Sequence, residues 1–386
     1  MLRSWDPRRR KLPRVLPDAA AFAGRRERLS QRFPGEVLVI PTGHPKVRAN
    51  DTHYPFRPGT EFYYLTGNVE PDCVLVLEPA AKGHRMVLYV EPNPGKTDST
   101  FFTDRVKGEL WVGPRLGVPE SKHRYGVDEC RPIRDLEQSL AKVAKTHKTR
   151  VLRGFSPATE VMFKGAKGRT EEADKELGEA LSEARLIKDD LEVEELSRAI
   201  ESTRKGFEDV IGRLAIAKSE REVEAAFFFR ARTEGNDVGY GTIAACGDHA
   251  CTLHWTKNDG AVKKGDLMLL DAGVERTTLY TADITRTLPI SGKFSREQKM
   301  VYELVLEAQN RALDAVKPGN DFLEPNRVAM RVLAEGLVRW GILKCTIEEA
   351  LDPHKQFYRR YTLHNVSHML GLDVHDCARA RQETYK

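Results

Sequence analysis

The amino-acid sequence predicts an α/β domain followed by a mixed α+β domain. Three observations carry that reading. From Glu36 to Val90, apolar runs of four or five residues are separated by turn-forming residues, the pattern of central strands covered on both faces. Between about residues 160 and 210 the composition turns to Glu, Lys and Arg at helical spacing, as in a packing or connecting element. Beyond it, two long helical segments bracket short strands with aspartates at apolar positions.

The elements follow in order. Residues 1–20 read as a basic tail with Arg3, Arg8, Arg9, Arg10, Lys11 and Arg14, and no interleaved aromatic platform marks it as a nucleic-acid arm. The first domain is expected over residues 21–184. Its strands are Val37-Leu38-Val39-Ile40-Pro41, Phe62-Tyr63-Tyr64-Leu65-Thr66-Gly67, Cys73 to Pro79 and Met86 to Val90, and its α/β part ends near residue 160. From Glu192 to Ile200, helical spacing places Leu196, Ala199 and Ile200 on one face.

The second domain is expected over residues 185–386. Ser219 to Glu234 is one amphipathic helix. Ser295 to Val316 is another, opened by a Ser295/Gln298 capping box and stopped by Pro318-Gly319. Gly265 to Gly273 and Tyr280 to Leu288 read as a hairpin, because Glu275 to Thr278 is polar and turn-compatible.

Composition excludes several classes. With 40% hydrophobic and 31% charged residues over 386 positions, the chain is neither disordered nor fibrous and has room for two cores. No apolar run reaches about 18 residues, and the N-terminus lacks a signal-peptide core, so no membrane partner and a cytoplasmic protein are expected. The six cysteines are scattered without CxxC pairs, which suits reduced thiols.

The chemistry concentrates in two places. His364-Asn365-Val366-Ser367-His368-Met369-Leu370-Gly371-Leu372-Asp373-Val374-His375-Asp376 puts three imidazoles within 12 residues. Upstream, Asp271 and Asp283 occupy apolar strand positions, where a carboxylate is costly unless paired or metal-bound. On adjacent hairpin strands the pair can reach one cation or two. Oxygen and imidazole donors without thiolates suit Mn²⁺, Co²⁺ or Zn²⁺, and two such ions sharing a water make a hydroxide nucleophile near neutral pH. If His364 to Leu370 is a helix, His364 and His368 share a face, but no Glu stands between them as an HExxH site requires. Gly371 to Asp376 reads as a strand, with Asp376 orienting an imidazole or capping a turn. His254 lies in the strand-like segment Cys251 to Thr256 and is structural when taken alone.

These motifs together resemble aminopeptidase P, a family of the pita-bread metallopeptidases that also include prolidase. The resemblance rests on Asp51-Thr52-His53-Tyr54-Pro55-Phe56-Arg57, Glu61 to Gly67 and Glu70-Pro71-Asp72 in the first domain. In the second it rests on Leu253-His254-Trp255, Leu270-Asp271-Ala272-Gly273, Ala282-Asp283-Ile284-Thr285-Arg286-Thr287 and His364 to Asp376. It implies a pita-bread second domain, with two divalent ions, Mn²⁺ foremost, held by Asp271, Asp283 and His368. By the same resemblance Asp283 bridges the ions, while His254, His364 and His375 handle substrate and stabilise the tetrahedral intermediate. The implied substrates are peptides with proline in second position, cut at Xaa-Pro by a homo-oligomer. Prolidase is the rival hydrolase, and a non-catalytic binding protein on the same fold is the rival outside enzymes. The family's two glutamate ligands, on Val-Glu-Pro-Gly and Ile-Arg-Ile-Glu-Asp strands, are not found after the histidine motif, and Glu383 lacks a strand context. The expectation is therefore an incomplete second domain with compromised catalysis.

Overall fold

A computed structural model describes residue 2 and residues 11–380 of the chain. Arg3, Arg8, Arg9 and Arg10 of the basic cluster, and Glu383, lie outside the described residues. The chain divides into two compact units, Met1–Ile187 and Lys188–Lys386.

The first unit is built on a five-stranded sheet. Its spatial order is Glu129–Pro132, His84–Val90, Val74–Pro79, Val37–Pro41, Thr149–Val151, with the two outer pairings parallel and the inner ones antiparallel. Val37–Pro41 is buried at every residue, Val74–Pro79 at all but Pro79, and His84–Val90 from Met86 onward, as expected of runs without apolar–polar alternation.

The segment expected as a strand at Phe62 to Gly67 is instead the helix Thr60–Thr66, buried at all seven residues. A short element covered on every side shows no period, so aromatic content alone reads as strand. The helix is closed by Gly67 in the left-handed region at φ 64°, its N–H donating to Tyr63 O at 2.8 Å. Buried guanidinium groups then satisfy the last carbonyls: Arg25 Nη1 donates to Tyr64 O at 3.3 Å and Arg26 Nη1 to Leu65 O at 2.8 Å. Both arginines come from the helix Ala19–Arg32.

In the second unit the helix Asp190–Leu214 packs on Glu220–Glu234. The stripe read from the sequence is displaced: Ala199 is buried, but Ile200 is exposed and Leu196 only half-buried. Glu192 and Glu195 take those core-facing places because polar partners wait there. Tyr280 Oη donates to Glu192 at 3.2 Å, and the Thr278 hydroxyl donates to Glu195.

Over these helices lies an antiparallel sheet ordered Ile284–Pro289, Leu267–Ala272, Ile243–Cys246. Met268, Leu270 and Ala272 face the helices in one apolar core with Phe207, Val210, Val223 and Phe227. Strand alternation leaves Asp271 on the opposite, half-open face. The expected hairpin forms, and its connection holds a short strand, Val274–Glu275, paired with Asp237–Val238. The capping box at Ser295 opens the helix Arg296–Asp314, which packs on Glu324–Arg339 through Ala308, Ala312, Ala329 and Met330. Among the described residues no helix is long and apolar enough to cross a membrane.

Candidate active site

Register brings the two aspartates together. Asp271 pairs with Thr285 and Ala272 with Ile284, so Asp271, Thr285 and Asp283 share one face. Close backbone approach makes this possible at Gly273, where an added Cβ would lie 1.7 Å from Ala282 O.

A third residue, Tyr240, sits between them. Its hydroxyl lies 2.6 Å from Asp271 Oδ1 and 2.7 Å from Asp283 Oδ1. One hydroxyl proton serves two carboxylates, and burial together with the Asp271 charge holds the phenol far above its ordinary range. Burial and the Asp283 charge push Asp271 up. Burial also acts upward on Asp283, but donation from His368 and Tyr240 outweighs it and holds that carboxyl below its usual value.

His368 Nε2 is 2.9 Å from Asp283 Oδ2, and its Nδ1 is 2.9 Å from Met369 O. The contact with Asp283 raises the imidazole above its ordinary value despite burial. His375 meets His368 edge-on, ring centroids 4.4 Å apart. Asp271, Asp283, His368 and His375 are therefore gathered, with Tyr240 between the two aspartates.

The other two histidines stand apart. His364 is exposed and turns Nδ1 to Asn365 O at 2.7 Å. His254 is exposed on a turn after the 3-10 segment Gly247–Cys251, so the strand-like reading of Cys251 to Thr256 is corrected. Neither the helix at His364 to Leu370 nor the strand at Gly371 to Asp376 forms. The backbone there closes on itself instead, Gly371 N on Asp373 O and Asp376 N on Met369 O. Asp376 caps that turn, accepting from Cys377 N at 2.9 Å and Lys188 Nζ at 3.2 Å.

The donor chemistry fits a hard or borderline divalent cation. Two half-buried carboxylates of like charge face one hydroxyl, and an imidazole closes on one of them. The members are linked in series, and among the described residues no three His, Cys, Asp or Glu side chains surround one point. Asp271, Asp283 and His368 are brought together in this arrangement as neighbours along one hydrogen-bonded series.

Comparison with known proteins gives this geometry its family. Residues 194–385 match Metallopeptidase family M24, and residues 22–152 match the aminopeptidase P N-terminal domain. Xaa-Pro aminopeptidase 1 of Streptomyces coelicolor is 50% identical over 372 residues, 96% of this chain and 74% of that protein. The chain belongs to the aminopeptidase P family. The Escherichia coli Xaa-Pro aminopeptidase is 31% identical, over 92% of this chain and 80% of its own. The structure of Pseudomonas aeruginosa aminopeptidase PepP superposes with a TM-score of 0.81 at 32% identity, covering 94% of this chain and 81% of that one. A zinc-substituted E. coli aminopeptidase P in complex with product gives 0.82 at 29% identity, covering 94% and 82%. The fold is that of this family, an aminopeptidase P N-terminal domain followed by a pita-bread metallopeptidase domain.

The aminopeptidase P motifs did not point to Tyr240. The available signal was a tyrosine between Gly239 and Gly241, just ahead of the first strand of the sheet.

Proposed function

We propose that the chain is a metal-dependent Xaa-Pro aminopeptidase, releasing the N-terminal residue of peptides with proline second. The observation that carries it is the Asp271–Tyr240–Asp283–His368 series in a chain of this family. Asp271, Asp283 and His368 would hold two divalent ions, with Mn²⁺ the proposed metal, and Asp283 is the bridging candidate because two separate groups already address its two oxygens. When bound, such ions supply Lewis acidity and lower the pKa of water.

The chain's own groups do the rest. Tyr240 orients both carboxylates through one hydroxyl. His375, beside His368, and the exposed His254 and His364 are assigned to substrate, offering N–H donors to the oxygen on which charge develops. Homo-oligomer formation belongs to the same reading, supported by exposed Ile211, Phe228 and Phe229 on neighbouring helices and Ile216 in the turn between them. A cytoplasmic location is supported by six cysteines that are all free thiols.

The test is amino-acid release from Ala-Pro-Ala, after chelation and after return of Mn²⁺, by a chain extended with the family's two glutamate strands. Release that is lost and then restored is expected, and equal release in both states overturns the proposal.

A further inference from the structure

The carboxylate of Glu220, at the start of the helix Glu220–Glu234, is fully buried, yet among the described residues its hydrogen-bond partners include no Lys or Arg. It accepts four hydrogen bonds instead. Oε1 takes Cys246 N at 2.7 Å and His249 Nδ1 at 2.9 Å, while Oε2 takes Gly260 N at 2.7 Å and Trp255 Nε1 at 2.9 Å. These donors span both ends and the middle of the segment 246–260, and His254 is the residue before Trp255.

The segment is irregular and would otherwise be mobile. The His249 ring stacks on Trp255 at 4.0 Å, so two of the donors brace each other. Asn258, fully buried, fastens the returning arm: Oδ1 accepts from Ala244 N at 3.0 Å and Nδ2 donates to Thr242 O at 2.9 Å. Thr256 packs on Gly241, where an added Cβ would lie 3.2 Å from its Cγ2. Gly241 adjoins Tyr240, whose hydroxyl joins Asp271 to Asp283. The loop that carries His254 is thereby seated on the segment that carries Tyr240.

We propose that Glu220 is a positioning residue for peptide hydrolysis, its carboxylate clamping the segment 246–260 so that His254 is held where it meets substrate. This rests on the reading that His254 acts on substrate. A glutamine cannot replace the clamp, because it keeps one acceptor oxygen and turns an NH₂ toward two donors. A loop displaced by an ångström lowers turnover without touching the aspartates.

The experiment compares wild type, Glu220→Gln, His254→Ala and the double variant on Ala-Pro-Ala with Mn²⁺, together with amide hydrogen exchange. Glu220→Gln is expected to lower kcat roughly 10- to 100-fold. Amide exchange is expected to speed up within 246–260 and not in the strand Leu267–Ala272. In the His254→Ala background the same substitution is expected to cost less than about twofold, since it has no imidazole left to misplace.

Unchanged exchange in the segment, or the full cost of Glu220→Gln persisting in the double variant, overturns the clamp while leaving the hydrolase reading in place. Unaltered turnover of His254→Ala removes the role of His254 and this proposal with it. A wild-type chain that cleaves nothing takes the turnover comparison away, and the exchange arm then decides alone whether Glu220 holds the loop. Should Glu220→Gln not fold, Trp255→Phe deletes the donation next to His254 and takes its place, with the same loss of effect expected in the His254→Ala background.

Discussion

Asp271 and Asp283 lie on one face of an antiparallel hairpin and share a single hydroxyl, that of Tyr240, at 2.6 and 2.7 Å. Two like charges so placed repel each other, and one proton offsets only part of that repulsion. A divalent cation would relieve it more fully, and the strand register is what sets the two carboxylates side by side.

Tyr240→Phe deletes that proton and keeps the ring. Loss of such a partner is expected to weaken Mn²⁺ binding about 10- to 100-fold by titration calorimetry. Equal affinity in the variant would show that the hydroxyl does not orient the carboxylates.

Asp283→Asn and His375→Ala should separate binding from turnover. An amide cannot bridge two cations as a carboxylate does, so elemental analysis of Asp283→Asn should find metal lost. His375→Ala should retain its metal and lose kcat by about 10²-fold or more, as for a removed oxyanion donor. The reverse pattern would exchange the two assignments.

Gly273→Ala tests the close approach behind the shared face. Its Cβ would fall 1.7 Å from Ala282 O, a backbone atom that cannot swing aside. A loss of about 2 kcal/mol or more is expected in urea unfolding. Wild-type stability would contradict the packing at Gly273.

The buried Glu220 carboxylate gives a pH dependence. Burial acts to raise its pKa, but donation from Cys246, Trp255, His249 and Gly260 outweighs that and lowers it. A lowered folded value stabilises the loop above the unfolded value near ~4.3, and that stability is lost as pH falls through the folded value. Protection of the 246–260 amides relative to their intrinsic exchange rates should therefore fall on acidification in wild type and change much less in Glu220→Gln compared at the same pH. The same acid response in both would exclude Glu220 as its source.

Much of this was legible in the sequence because each signal was local. The strands Val37–Pro41 and Val74–Pro79 declared themselves by continuous apolar runs, and the Arg296–Asp314 helix by its Ser295/Gln298 box. Asp271 and Asp283 stood out as carboxylates on apolar strands. What escaped depended on distant partners. Thr60–Thr66 is a helix because burial on all sides erases its period and Arg25 and Arg26 cap its end from another helix. Glu192 displaced Ile200 from the core face because Tyr280 lies 88 residues away to pair with it. Tyr240 lies 31 and 43 residues from its two aspartates, and no short motif records that.

Two peptides that differ only at the second position distinguish hydrolysis before proline at the aspartate pair from unselective release of the first residue. With Mn²⁺ present, release of free alanine is predicted from Ala-Pro-Ala and far less from Ala-Ala-Ala, with both abolished in Asp283→Asn. Equal release from the two peptides, or release that survives Asp283→Asn, would contradict hydrolysis before proline at that pair.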